Sequence, residues 1–301
     1  MRLLHWQNLG RQLIGQGLRR FTGAKASMES FAIPAGDPGL LGPESVSWRV
    51  HAHFTSMMVG GLSSLMVQAL HPRALAAVWD HSDFSTSLKD RLGATAFFVA
   101  ATTYGGREMA MRSIERVNAI HAQVRGIDLQ GQAYVANEPE LIRWVHLVEV
   151  ISFAQAYQHL APQALSRPEL DQYVAEMARI GHLLGAEDLP TNYADTHAAL
   201  LAFKDQLAYN ERTRLILQTI QAYPAQAHEQ PFIQLVLQCA QHILPDWALP
   251  WLRVRPASSL EVQLTQTALV LISKPIQWAL DQDGVAAVSK KRVQCVCMQA
   301  T

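Results

Sequence analysis

Between Arg49 and Arg73 the chain carries no formally charged residue, and this run constrains the fold more than any other stretch. It is long enough to cross a bilayer. However, its histidines and glutamine would be costly in lipid, and the pair Gly60-Gly61 suits close packing between helices inside a protein. A helix that is apolar on every side is usually the central helix of a core. We therefore expect a buried central helix here rather than a membrane span.

Proline and glycine residues mark the ends of the predicted helices. The central helix, which begins near Glu44, should end at His71-Pro72, because the residue before a proline avoids the α region. Pro139 should open a strong helix to about Leu160, and Gly185 should close the next one. No stretch alternates with period two for long, so we predict an all-α fold.

The predicted domain organisation is one large helical domain over residues 44–284, with a pocket between its helices. The chain has 301 residues, of which 49% are apolar, and this is ample for a large core. An N-terminal segment, 1–43, precedes the domain. A C-terminal tail, 285–301, follows it and is expected to be frayed.

The N-terminal residues 1–28 contain basic and apolar residues but no acidic ones. They are predicted to form either a basic amphipathic helix in peripheral contact with an anionic membrane, or a first helix docked on the domain. A transit peptide has a similar composition. The basic residues are Arg2, Arg11, Arg19, Arg20 and Lys25.

Charge and cysteine content narrow the function class and the compartment. The formal net charge is zero, which gives no global field to attract nucleic acid, so no nucleic-acid partner is expected. Three cysteines without a framework fit a reducing compartment, so we expect a cytoplasmic protein, with membrane association left open. Cys295 and Cys297 are too close for a CxxC zinc or redox pair.

The stretch from Asp90 to Gly126 carries the main candidate site. It reads as two consecutive helices broken at Gly105-Gly106. An Arg/Thr face on the first helix would lie near a histidine in the apolar stripe of the second, and such an imidazole is a candidate haem ligand. The alternative is a core histidine beside a solvated arginine. The first face comprises Arg91, Thr95, Phe98 and Thr102, and the stripe comprises Ala110, Ile114, Val117, His121 and Val124.

Common catalytic motifs are absent from the sequence. There is no HExxH or ExxH, so a zincin or a ferritin-like di-iron bundle would lack its ligands. Neither GxxxxGK[ST] nor GxSxG occurs, which leaves out P-loop and α/β-hydrolase chemistry. There is no CxxCH, so a bound haem would be held without covalent attachment.

Five motifs in order resemble the MpaB-type oxygenase family, whose best-understood members are the rubber-cleaving latex clearing proteins. The resemblance covers about residues 44–210 and implies an all-helical fold with non-covalent haem b. It further implies that His121 is the proximal iron ligand. The motifs are QALHP at 68–72, DHSDF at 80–84, RLGAT at 91–95, His121 before VRG at 124–126, and YVANEPELIRWVH at 134–146.

The resemblance also assigns Arg91 and Thr95, which match the family's Arg-x-x-x-Thr motif, to the catalytic and cofactor-binding site. In the latex clearing proteins a lysine able to occupy the distal iron site precedes the threonine. Here that residue is Ala94, so the distal site should be open or water-filled, and rubber cleavage is not favoured.

The function that follows is a haem b-dependent oxidoreductase of the oxygenase type. Neutral His121 would bind the iron, and Arg91 and Thr95 would hold a propionate or stabilise charge on oxygen. Its partners would be a small apolar substrate and O2 or peroxide. The alternatives are a non-enzymatic haem- or lipid-binding helical protein, which would be possible at a membrane, and a metal-free structural protein.

Overall fold

The computed structural model describes residues 28–82, 84–223 and 226–295, with the backbone alone for 84–87. Apart from Met28, the amphipathic segment predicted over 1–28 lies outside these residues, and so does Cys297.

Helices make up most of the described chain, which confirms the all-α prediction. Two short strands, β1 (Arg125–Ile127) and β2 (Ala133–Val135), form an antiparallel hairpin with Gly126 opposite Tyr134. The α-helices are α1 (Val46–Ala52), α2 (Phe54–Gln68), α3 (Pro72–His81), α4 (Phe84–Tyr104), α5 (Arg107–His121), α6 (Pro139–Leu160), α7 (Arg167–Leu184), α8 (Tyr193–Leu201), α9 (Glu211–Gln221), α10 (Gln230–His242), α11 (Ala248–Leu252), α12 (Ser259–Asp283) and α13 (Val285–Gln294), with 3-10 turns at Met28–Ala32 and Lys204–Gln206.

The chain divides into two compact units. Of the described residues, the first unit comprises 28–52, 89–114 and 273–295, and the second comprises 53–82, 84–88, 115–223 and 226–272. Within the described residues, no helix combines the length and the apolarity needed to cross a bilayer.

The expected single long helix from Glu44 is wrong, because the chain breaks at His53. This residue has φ −83° and ψ 88°, which are not helical, and its imidazole accepts a hydrogen bond from the backbone N–H of Ser56. The side chain thus caps α2 and satisfies one of the N–H groups left over at the start of a helix. Helix α2 ends at Gln68, close to the predicted end at His71-Pro72, and Pro72 begins α3 with buried His71 as its N-cap.

Helix α2 is the buried central helix of the second unit, and it packs against α6. The contact is close at Gly60, where a Cβ atom would lie 2.8 Å from Cδ1 of Phe153 and 2.9 Å from the carbonyl oxygen of Ser152. At Gly61 a Cβ atom would meet only Cε1 of Phe153, at an ordinary 3.8 Å. The sequence prediction of a glycine-mediated close approach is therefore confirmed at Gly60.

Gly60→Ala is expected to lower the free energy of unfolding by about 1–2 kcal/mol, because overpacking against a backbone exceeds the gain in helix propensity. Gly61→Ala is the matched control and should be neutral or stabilising by up to about 1 kcal/mol. Urea unfolding of the three proteins measures both. Equal free energies for the two variants would contradict the close approach.

The prediction of a frayed C-terminal tail is wrong for residues 285–294, which form helix α13 in the first unit. The guanidinium of Arg292 is fully buried and donates to two backbone carbonyls, Nε to Asp37 at 2.9 Å and Nη1 to Phe31 at 2.9 Å. Long-range contacts of this kind hold the helix in place and leave no periodic signal in the sequence. The preceding helix, α12, continues through Pro275.

Candidate functional site

The break between the two helices of the candidate stretch is confirmed. Helix α4 ends at Tyr104 and α5 begins at Arg107, whose N–H donates to the carboxylate of Asp37 at 2.7 Å. Gly105 is required at the break, since a Cβ atom there would lie 2.4 Å from the carbonyl oxygen of Ala101. The chain therefore turns where the paired glycines indicated.

His121 is the last residue of α5 and belongs to the second unit. Its side chain is half-buried, with the Nδ1 atom buried. The predicted apolar stripe that contains His121 is fully buried at Ala110 and Ile114 but only half-buried at Val117. Val124 lies beyond the end of the helix. His121 therefore lies at the edge of the core. The sequence had predicted a deeper position, inside the apolar stripe.

The motif DHSDF contributes two side chains that hold the hairpin following His121. At the end of α3, Nε2 of His81 donates to the carbonyl oxygen of Arg125 at 3.1 Å. The hydroxyl of buried Tyr134 donates to the carboxylate of Asp80 at 2.9 Å, and burial, with Asp80 next, raises the pKa of Tyr134 to about 12. Arg212 pairs with the other oxygen of Asp80 at 2.9 Å. These contacts fix both strands to α3.

A second anchor lies at the other end of α3. Nε of Arg73 donates to the carbonyl oxygen of Ala133 at 2.9 Å, and its Nη2 forms an ion pair with Glu138. The backbone N–H of Val135 donates to the same Glu138 carboxylate at 2.6 Å. Neither anchor was predicted from the sequence. Asp80 and Tyr134 lie in two of the quoted motifs and could have indicated the first one. The chain directly after His121 is thereby held at several points.

Arg91 and Thr95 belong to the first unit and lie one turn apart on α4. Arg91 is half-buried, whereas Thr95 and Ala94 are exposed. Further along the predicted face, Thr102 is buried and its hydroxyl donates to the carbonyl oxygen of Phe98 at 2.9 Å. The structure therefore brings Arg91 and Thr95 together on one helix and places His121 in the other unit.

His146, in the motif YVANEPELIRWVH, is a buried core histidine on α6. Burial, with the charge of His182 second, lowers its pKa from 6.5 to about 4. Its ring is packed so closely against α7 that a Cβ atom on Gly181 would lie 2.9 Å from Cε1. The fold therefore holds this imidazole in its neutral form.

Because the folded-state pKa of His146 is depressed, the unfolded chain binds a proton here between pH 6.5 and about 4 that the folded protein does not bind. Stability should therefore fall as the pH falls through this window, by about 1.4 kcal/mol per unit from this residue. His146→Gln should remove that part of the slope, measured by urea unfolding between about pH 7 and about pH 4.5. Parallel stability curves for the two proteins would contradict it.

The described part of the chain holds no group of three or more His, Cys, Asp or Glu side chains placed to bind a metal ion. An all-protein metal centre of that kind is therefore not seen among these residues. A haem iron needs less from the protein, since the porphyrin supplies four nitrogens and one imidazole can complete the attachment.

These features define an all-α protein with a helix-terminal histidine beside an anchored hairpin. The sequence model of a family described as "ER-bound oxygenase mpaB/B'/Rubber oxygenase, catalytic domain" matches residues 48–272, about three quarters of the chain. The chain belongs to this family, as the five motifs indicated, and this supports an oxygenase-type enzyme. No curated protein and no solved structure matches it.

Proposed function

We propose that this protein is a haem b-dependent oxidoreductase of the oxygenase type that acts on a lipophilic small molecule. His121 is the protein ligand of the iron, and O2 or peroxide is the oxidant. The observation that carries the proposal is the family match over residues 48–272, which includes this histidine at the half-buried end of α5.

The residues present fit a haem held by a single side chain. His121 lies on a helix at the edge of a core, with one ring nitrogen buried, and the chain has no CxxCH for covalent attachment. When bound, the haem supplies the activation of oxygen or peroxide. The hairpin anchored to α3 limits the movement of the backbone next to the ligand, which favours a constant position for the imidazole.

Arg91 and Thr95 are proposed to provide hydrogen-bond donors. A guanidinium holds a carboxylate such as a propionate, or stabilises negative charge that develops on oxygen, and the threonine hydroxyl adds a further donor. Ala94 has no side chain that would ligate iron, unlike the lysine that the latex clearing proteins carry before the threonine, so rubber cleavage is not proposed.

Titration of the purified protein with haemin tests the proposal. We expect a Soret band that saturates at one haem per chain, with haem b identified by the pyridine haemochrome assay. A protein that is colourless as purified and takes up no haemin would overturn the proposal and favour a metal-free structural role.

A non-enzymatic haem- or lipid-binding protein is the second candidate function. It is favoured by Leu260, Leu264 and Leu271, which share one face of α12 and are each exposed by more than half of their surface. Oxygen consumption by the reduced, haem-loaded protein with unsaturated lipids separates the two candidates. Consumption favours the enzyme, and binding of lipid without consumption favours the second.

A further inference from the structure

Asn118 lies on α5 three residues before His121, and residues at this spacing are neighbours on one helix face. Its Nδ2 donates a hydrogen bond to the carbonyl oxygen of Leu183 at 3.1 Å, near the end of α7. Both helix segments belong to the second unit. This bond fixes the orientation of the carboxamide and determines which of its atoms is left for another partner.

The remaining atom, Oδ1 of Asn118, is buried and accepts no hydrogen bond from the described residues. A buried acceptor without a donor destabilises a folded protein, and most buried acceptors therefore have a partner. Oδ1 can only accept, and it needs an N–H or O–H donor. Nδ1 of His121, which is also buried, lies one turn further along the same face.

We propose that Asn118 is the positioning residue of the haem ligand. In the haem-bound protein its Oδ1 accepts a hydrogen bond from Nδ1–H of His121. This inference rests on the proposed function, because it concerns the ligand assigned there. A proton held on Nδ1 leaves the lone pair of Nε2 to bind iron, and the acceptor also fixes the plane of the ring and raises its basicity.

A purely structural role for Asn118 makes a different prediction. In that case only the bond to Leu183 would matter, and every substitution that removes Nδ2 would act in the same direction. If Asn118 acts through His121, the effect instead depends on the acceptor at Oδ1. A carboxylate is a stronger acceptor than an amide, whereas an aliphatic side chain provides none.

The test compares Asn118→Asp and Asn118→Leu with the wild type, each loaded with haem. Asn118→Leu should raise the reduction potential, lower the iron–histidine stretching frequency in resonance Raman spectra, and weaken haem binding about 10- to 100-fold. Asn118→Asp should shift the potential and the frequency in the opposite direction. Gln123→Leu is the control, since it makes the same amide-to-aliphatic change at an exposed position two residues after His121.

Shifts of both variants in one direction, or no shift in either, would overturn the positioning role. Nitrogen-15 NMR of the haem-loaded protein in its diamagnetic ferrous carbon monoxide complex gives a second readout, in which Nδ1 of His121 should carry a proton whose resonance shifts in Asn118→Leu. Failure of the wild type to bind haem would overturn the proposed function.

Discussion

Replacement of His121 by alanine is expected to abolish the Soret band of the haem-loaded protein. An imidazole is the only protein ligand that the proposal provides for the iron, and no covalent thioether would retain the porphyrin. Loss of an outer hydrogen-bond partner typically weakens metal binding about 10- to 100-fold, so loss of the ligand itself should weaken it further. Haemin titration followed by absorbance measures the effect.

His242→Ala is the matched control for this experiment. His242 is also the last residue of its helix, α10, is half-buried, and has a buried Nδ1 atom. The His242→Ala variant should leave the Soret band intact. Added imidazole should partly restore the band in His121→Ala, which would distinguish a lost ligand from a lost fold. An unchanged band in His121→Ala, or a lost band in His242→Ala, would contradict the assignment of the ligand.

The comparison with His242 also shows how far local structure identifies the site. Two histidines end helices in similar surroundings, and neither burial nor position separates them. His121 was singled out by the motif order before VRG, which the family match over residues 48–272 supports. The sequence could therefore single out His121 as the proposed ligand, and the structure places this residue at the edge of a core.

The fold was predictable where local chemistry decides it. Pro139 begins α6 and the helix ends at Leu160, as expected from a proline at the first helical position. Gly185 ends α7 with φ 99°, a left-handed conformation that glycine adopts without strain. These signals depend on single residues and their immediate neighbours, so they can be read without knowing the tertiary structure.

Tertiary contacts decided the features that the sequence did not reveal. Helix α13 is held by the buried guanidinium of Arg292, whose acceptors at Phe31 and Asp37 are more than 250 residues away in the chain. The short hairpin after His121 depends on Asp80 and Tyr134, which are separated by 54 positions. Pairings at such separations leave no periodicity in the sequence, and two strands of three residues are too short to alternate visibly.

Substitution of Arg91 by alanine is expected to retain haem but to lower kcat for peroxide-driven oxidation of a generic reductant by about 10²–10³-fold. This is the typical loss when one donor to developing negative charge is removed. Arg91 is half-buried on α4, whereas Lys89, two residues earlier, is exposed, so Lys89→Ala removes a positive charge from the same helix as a control. That variant should turn over like the wild type.

The kinetic pattern distinguishes the two roles open to Arg91. If the guanidinium stabilises charge on oxygen, kcat falls while the haem dissociation constant stays the same. If it holds a propionate, haem binding weakens, and activity per bound haem is largely kept. Unchanged turnover and unchanged haem affinity would remove Arg91 from the site, and the Arg-x-x-x-Thr motif would then be a structural feature of α4. Equal losses in Arg91→Ala and Lys89→Ala would show that helix charge alone, rather than a placed donor, sets the rate.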